Sequence, residues 1–311
     1  MKKVAFIFPG QGSQSIGMGK DFFESSDIAK DMISKASNRL GFDFEKLLFE
    51  ENDNLGKTEF TQPAILLVSC IALEIFRSKC DIQPQFVLGH SLGEFSALVA
   101  SGAIDYLDAL ELVHKRGAFM NEACAGAGAG MMALIGLSDE IVEDMTAKFR
   151  EDGKKIWAAN YNMDGQIVVA GIKADLEAVA DTFKEAGAKR AIVLDMSVAS
   201  HCELLNSAVE KLNPYLDQYI SDDFKCSVIS NVTAKSYNTK KEAVELLGKQ
   251  LVSPVKYKHS IVENCIDLDA MIEFGNGSVL KGMNRKIIKS VPTLNVSDNK
   301  SLDDTLEKLN G

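Results

Sequence analysis

A serine turns nucleophile only where the chain thrusts its hydroxyl outward, supplies a base and leaves N–H groups free for the developing oxyanion. One stretch here meets the first condition: Gly89-His90-Ser91-Leu92-Gly93-Glu94 sets a serine between two glycines in a G-x-S-x-G pattern. The apolar run Phe86-Val87-Leu88 precedes it and Phe95 to Ala100 follows, so the serine falls where a strand becomes a helix. Such an elbow has no room for a β-carbon on either flank, and it aims the hydroxyl at a helix N-terminus whose N–H groups can receive negative charge. Ordinary glycine-rich turns carry the same residue types; the strand before and the helix after favour Ser91 as a nucleophile.

The base must be one of four histidines. His90 adjoins Ser91, and neighbouring side chains on an elbow diverge. His114 lies inside a helical stretch beside Lys115 and Arg116, and His259 ends the polar run Lys256-Tyr257-Lys258-His259, which reads as solvated. His201 sits in the small-residue loop Ser197-Val198-Ala199-Ser200-His201-Cys202, on the C-terminal side of a strand, where α/β folds build their sites. A satisfied structural histidine is the alternative there. No aspartate stands out as a third member, Asp195 being a weak candidate. The glycine clusters Gly10-Gln11-Gly12, Gly19-Lys20 and Gly275-Asn276-Gly277 all miss the phosphate-loop templates.

The elements that must position these residues alternate between strand and helix. Val4 to Phe8 reads as a buried strand, Asp21 to Leu40 and Thr61 to Arg77 as helices, then the elbow unit, then a helix from Tyr106 to Glu122. That is the rhythm of a mostly parallel sheet covered on both faces. After the small-residue linker Ala123 to Gly130 the order becomes strand Met131–Ile135, helix Ser138–Arg150, strand Lys155–Ala159, strand Gln166–Ala170, helix Lys173–Ala186 and strand Ala191–Leu194. The βαββαβ order is ferredoxin-like, with Asp164-Gly165 as the turn between its central strands. Residues 126–197 are therefore expected as an inserted small subdomain in an α/β body of residues 1–125 and 198–311, with further body strands at Cys226–Ser230 and Ala270–Phe274.

A chain of 311 residues exceeds one ordinary core, which agrees with two units. Its net charge of −10 argues against nucleic acid as a partner. Six cysteines without a C-x-x-C pair or zinc spacing imply reduced thiols, no metal and a cytoplasmic setting. The apolar run after Lys2-Lys3 stops at Pro9, too soon for a leader, and no segment reads as a bilayer span, the best being Ala64 to Leu73.

Taken together, Phe8-Pro9-Gly10-Gln11-Gly12-Ser13-Gln14, Thr61-Gln62-Pro63-Ala64, the elbow, Arg116-Gly117, Asn160-Tyr161-Asn162 with Gly165-Gln166, Ser200-His201, Gln250-Leu251 before Ser253-Pro254-Val255, and Glu273-Phe274-Gly275 resemble the malonyl-CoA:acyl-carrier-protein transacylases, relatives of polyketide acyltransferase domains. The matches run the length of the chain. The resemblance implies a hydrolase-like α/β body with a ferredoxin-like insert, and malonyl transfer from coenzyme A to the thiol of acyl carrier protein through a malonyl-serine on Ser91, with His201 as base. It further implies an oxyanion hole from the backbone N–H groups of Gln11 and Leu92, Arg116 on the malonyl carboxylate, and a main-chain carbonyl near Gln250 orienting the histidine. Met120, Asn160, Asn162 and Ser200 would line the pocket or meet the subdomain. Malonyl-CoA is substrate, no cofactor is expected, and a monomer is expected.

Two residues depart from the family pattern: Ala199 stands where proline is usual, and Asn276 replaces the proline of a Gly-Pro-Gly. Carrier protein is acidic, so docking would call on local basic clusters, Lys189-Arg190 or Arg285-Lys286 with Lys289. A serine esterase or thioesterase shares the elbow but gives the acyl group to water, and a silent binding protein would keep Ser91 and His201 as relics.

Overall fold

The computed structural model describes residues 2–196 and 198–310. The first run of elements is β1 (Val4–Phe8), α1 (Lys20–Ser25), α2 (Asp27–Leu40), α3 (Phe44–Phe49), α4 (Thr58–Lys79), β2 (Phe86–Gly89), α5 (Gly93–Ser101) and α6 (Tyr106–Cys124). Then come β3 (Ala129–Ile135), α7 (Asp139–Glu151), β4 (Ile156–Met163), β5 (Gln166–Ile172), α8 (Lys173–Glu185) and β6 (Arg190–Val193). After a 3₁₀ turn at Glu203–Leu205 the chain forms α9 (Asn206–Tyr219), β7 (Ser227–Ile229), β8 (Ser236–Tyr237), α10 (Lys240–Gln250), α11 (Tyr257–Asn264), β9 (Ala270–Phe274), α12 (Val279–Ile287), β10 (Thr293–Val296) and α13 (Asn299–Asn310).

Six strands form the larger sheet in the order β10-β9-β1-β2-β7-β8, parallel throughout except for the edge pair β7–β8. Every residue of β1 and β9 is buried, which is why β1 reads as an unbroken apolar run rather than an alternating one; β9 departs from this only at Glu273, whose carboxyl group accepts from the N–H groups of Leu280 and Lys281. Phe6, Phe8, Phe76 and Phe274 meet over one face of this sheet. The adjacent strands β1, β2 and β7 end at Phe8, Gly89 and Ile229, so the residues just beyond, Gln11, Ser91 and Asn231, issue from the same edge of the sheet.

The second sheet is antiparallel, in the order β4-β5-β3-β6, and draws only on residues between Ala129 and Val193. Its six elements fall within a few residues of the sequence expectation, and Gly165 turns the chain between β4 and β5. The expected boundary at residue 197 lies outside the described residues. Backbone and ionic links tie this sheet to the body. Asn160 pairs with Val255 through backbone hydrogen bonds of 2.8 and 2.9 Å, and Lys258 on α11 reaches Asp139 and Asp164 at 2.7 and 3.0 Å.

Three expectations are corrected. The single helix expected over 21–40 breaks at Ser26, whose extended backbone (φ −132°) separates α1 from α2. The helix expected over 61–77 runs instead for 22 residues, Thr58–Lys79, long and apolar enough to cross a bilayer by length and composition; it is apolar because it is a core helix, mostly buried in the body. His259 is not solvated but half-buried, its Nε2 3.4 Å from Asp139 and its ring edge-on to Tyr161.

Candidate active site

The elbow forms as its glycines require. A β-carbon on Gly89 would overlap the Gly93 carbonyl, and one on Gly93 would overlap the Phe8 carbonyl, so strand, turn and helix close on one another only because both are absent. The crossing leaves Ser91 at φ 53°, a left-handed backbone rare outside glycine. Its own N–H donates to Asn231 Oδ1 at 2.7 Å. Among the described residues the N–H groups of Leu92 and Gln11 donate to no protein acceptor.

Ser91 Oγ lies 2.7 Å from His201 Nε2, and His201 Nδ1–H donates to the Gln250 carbonyl at 2.7 Å. That second bond fixes the tautomer: Nε2 carries the lone pair and accepts from the serine hydroxyl. A carbonyl thus does the orienting that an aspartate would do in a triad, and Asp195 makes no such contact. His201 is itself at φ 60° and buried. Burial holds its pKa down to about 3, the Arg116 charge adds to the depression, and the Gln250 carbonyl opposes it, so the imidazole is neutral at neutral pH.

Arg116 comes from α6, and the reason it can reach the site is Gly117. A β-carbon on Gly117 would strike the backbone of Glu59, so α6 lies hard against α4 only because that residue is glycine. The same contact accounts for two other residues. Pro63 has no N–H for the Glu59 carbonyl four residues back, and His114 Nδ1–H donates to that carbonyl instead, at 2.7 Å. His114 is therefore structural. Gln62, on the neighbouring turn, accepts from Arg116 Nη1 at 2.8 Å and approaches Met120 Sδ and Gln11 Oε1 at 3.5 Å each.

Arg116 is 1% exposed, with Nη2 3.0 Å from Gln250 Oε1 and 3.5 Å from Ser91 Oγ, and its guanidinium carbon 5.3 Å above the Phe95 ring. Nε has no partner among the described residues. The Nε–Nη2 edge is the planar fork that fits a carboxylate, and its Nη2 end lies beside the serine. Burial lowers the guanidinium to about 10, with Glu94 opposing, so it stays charged at neutral pH.

Beneath these groups lies a network that sequence reasoning missed. Glu94, fully buried, accepts from Gln250 Nε2, from the Asn231 N–H and from the Tyr237 hydroxyl at 2.8, 3.0 and 3.0 Å. Asn231 Nδ2 in turn donates to the Gly89 carbonyl at 2.7 Å. Burial pushes Glu94 up to about 7 against these donors and Arg116. The one sequence signal for Asn231 was its place just after a body strand.

Of the remaining expected residues, Asn162 Oδ1 accepts from His90 Nε2 at 2.8 Å and so links the small sheet to the elbow. Asn160 is buried at the link to Val255, and Ser200 is half-buried beside His201. Asn276 Nδ2 donates to the Ser13 carbonyl at 2.6 Å and lies 2.9 Å from Ser15 Oγ, steadying the loop that carries Gln11. Lys189 and Arg190 are exposed at the start of β6, whereas Arg285 and Lys286 are exposed on α12; the two clusters are not brought together, since β6 and β4 are opposite edges of the small sheet and α12 packs on the β4 side. Among the described residues no group of three or more His, Cys, Asp or Glu could hold a metal ion.

A parallel α/β body that presents a serine elbow, a neutral histidine and a buried arginine has the parts that acyl-group chemistry calls for. The chain belongs to the acyl transferase domain family, which it matches over residues 5–302. It is 41% identical to the malonyl CoA-acyl carrier protein transacylase of Bacillus subtilis, over 99% of this chain and 98% of that protein. The crystal structure of the malonyl-CoA:acyl carrier protein transacylase of Helicobacter pylori superposes with a TM-score of 0.96 at 45% identity, over 100% of this chain and 99% of that one. A malonyl-transacylase solved in complex with its type II PKS acyl-carrier protein superposes with a TM-score of 0.92 at 34% identity, over 98% and 99% of the two chains.

Proposed function

We propose that this enzyme moves a malonyl group from coenzyme A to the thiol of acyl carrier protein through a malonyl ester on Ser91. The observation that carries the reading is the chain Ser91 Oγ, His201 Nε2, His201 Nδ1, Gln250 carbonyl, with both bonds at 2.7 Å, set beside the open fork of Arg116. The malonyl carboxylate pairs with Nε and Nη2 of Arg116, which brings the thioester carbonyl over Ser91. As Ser91 Oγ attacks, its proton passes to His201 Nε2 and the carbonyl oxygen becomes an oxyanion between the N–H groups of Gln11 and Leu92. Collapse of the tetrahedral intermediate breaks the C–S bond, and His201 returns the proton to the departing coenzyme A thiolate. In the second half-reaction His201 takes the proton of the carrier thiol, whose sulfur attacks the malonyl ester; the acyl C–O bond to Ser91 breaks and His201 gives the proton to the departing Ser91 Oγ. The chain's own groups and its two thiol substrates account for every bond made and broken.

Arg116 has a second effect on this chemistry. Its charge helps hold His201 acidic in the free enzyme. A malonyl carboxylate cancels that charge, so the substrate that fits the fork also raises the basicity of the histidine that must accept the proton. A substrate ending in a methyl group does neither.

The frame for this site is read as a hydrolase-like body, residues 1–125 and 198–311, with a ferredoxin-like insert at 126–197; the βαββαβ order and the strand order β4-β5-β3-β6 support it. For the acidic carrier, Arg285 and Lys286 are favoured over Lys189 and Arg190, because α12 packs against β4, the strand whose Asn162 meets His90. Six free cysteines fit a reducing, cytoplasmic compartment.

Mass analysis of the intact protein after mixing with malonyl-CoA tests the reading. One malonyl adduct is expected, discharged by holo carrier protein faster than by water and missing in Ser91→Ala. An adduct that persists in Ser91→Ala would move the nucleophile elsewhere, and discharge to water alone would make the enzyme a thioesterase.

A further inference from the structure

An acidic residue in the first turn of a helix ordinarily stabilises it by lying near the exposed N–H groups. Glu94 occupies that position in α5, yet it is fully buried and its oxygens turn to other elements. Oε2 accepts from Gln250 Nε2 and the Asn231 N–H, and Oε1 accepts from the Tyr237 hydroxyl. Each of these partners arrives as a donor.

The consequence falls on Gln250. Its Nε2 is held by Glu94 Oε2 at 2.8 Å and by the Ser91 carbonyl at 3.1 Å, which leaves Oε1 facing Arg116 Nη2 at 3.0 Å, while its own backbone carbonyl receives His201. A side-chain amide has nearly the same shape turned over. Turned over here, it would present an NH₂ group to a guanidinium, donor against donor, and would push the fork out of place. A flip would set Gln250 Oε1 against the Ser91 carbonyl and Glu94 Oε2 alike; the shorter bond is the one to Glu94 Oε2, which the Asn231 N–H already holds in place as an acceptor.

We propose that Glu94 is a positioning residue for acyl selection: by accepting from Gln250 Nε2 it fixes that amide with Oε1 toward Arg116 and so holds the guanidinium fork where a substrate carboxylate meets it. This rests on the malonyl reading above. An acid that merely supported the fold would, when changed, slow every acyl donor alike; one that sets the fork changes the ratio of malonyl-CoA to acetyl-CoA turnover.

Three substitutions separate reach from charge. Glu94→Leu removes the acceptor, Glu94→Asp keeps the charge but draws it back by one methylene, and Glu94→Gln keeps the reach while losing the charge. In Glu94→Gln, Oε1 can still accept from Gln250, with the new NH₂ turned to the Tyr237 oxygen. The malonyl-to-acetyl ratio of kcat/KM is expected to fall about tenfold in Glu94→Leu and Glu94→Asp, the worth of one buried hydrogen bond to a charged group, and to stay within about threefold of wild type in Glu94→Gln whatever its overall rate. Should Glu94→Leu fail to fold, the Asp and Gln variants carry the test. An unchanged ratio in Glu94→Asp, or an equal fall in Glu94→Gln, overturns the proposal. Wild-type enzyme that forms no malonyl-serine would instead strike the functional reading. The Gln250 side-chain amide resonances then decide, with one fixed pair in wild type and Glu94→Gln and exchange-broadened signals in Glu94→Asp expected, and identical signals in all three refuting it.

Discussion

Replacing Arg116 by alanine separates recognition of the acyl group from its reactivity. The guanidinium is buried, its Nη2 lies 3.5 Å from Ser91 Oγ, and Nε has no partner among the described residues. A malonyl carboxylate gains two charge-assisted hydrogen bonds there, each worth about 1.5 to 3 kcal/mol before offsets. Nη2 already shares its protons with Gln250 Oε1, so part of one bond is exchanged rather than gained. A net loss of about 3 kcal/mol, roughly 150-fold in kcat/KM for malonyl-CoA, is expected in Arg116→Ala. The same substitution leaves Gln62 Oε1 and Gln250 Oε1 without their donor, a cost common to every substrate. Acetyl-CoA bears only that common cost, and it gains from a His201 no longer depressed by the neighbouring charge, so its kcat/KM should hold or rise. Arg116→Lys should recover only part of the malonyl rate, because a point charge cannot form two parallel bonds. Steady-state measurements with both acyl donors suffice; equal proportional losses would mean that Arg116 supports the nucleophile and that the carboxylate is read by another group.

Further outcomes follow from the geometry. His201→Ala should slow acylation by about 100-fold or more, while folded alanine variants of His90, His114 and His259 lose far less. Because the pKa of His201 lies near 3 rather than at the ordinary 6.5, kcat/KM should show no loss with a midpoint at 6.5. The sign for stability is the opposite of a paired histidine's: the folded pKa is below the unfolded one, so His201 contributes fully above 6.5 and its contribution is lost as pH falls toward 3. Glu94 itself lies near 7, so a kinetic inflection at 6.5 that persists in Glu94→Gln would place the working imidazole in solvent. Gly93→Ala should lower the free energy of unfolding, read from denaturant titration, by about 3 kcal/mol, since its β-carbon overlaps the Phe8 carbonyl, whereas Gly282→Ala on α12, with open space around it, should be neutral or stabilising. Equal effects would remove the steric account of the elbow.

Ser91 and His201 were legible in the sequence because their requirements are local: a turn that excludes β-carbons, and a loop of small residues after a strand. Arg116, Gln250 and Gln11 had no such local mark. What qualifies Arg116 is the approach of α6 to α4 at Gly117, and what qualifies Gln250 is a backbone carbonyl at the end of α10; only the family resemblance brought them forward. Glu94, Asn231 and Tyr237 escaped altogether, since the bonds that join them span more than a hundred residues of sequence. The βαββαβ segment was readable because each element is short and patterned, while the break at Ser26 was not, for the apolar spacing continues across it. His259 looked solvated among lysines because its partner, Asp139, belongs to the other sheet's helix.

Three described residues other than glycine stand at positive φ, and Ser91 and His201 are two of them. Each such conformation costs on the order of 1 kcal/mol, held in place by the surrounding bonds. The two side chains proposed to exchange the proton therefore sit at backbone positions where glycine would be the more comfortable residue. Stability alone would favour glycine at both positions, so a serine and a histidine at these dihedrals are residues that the fold does not ask for.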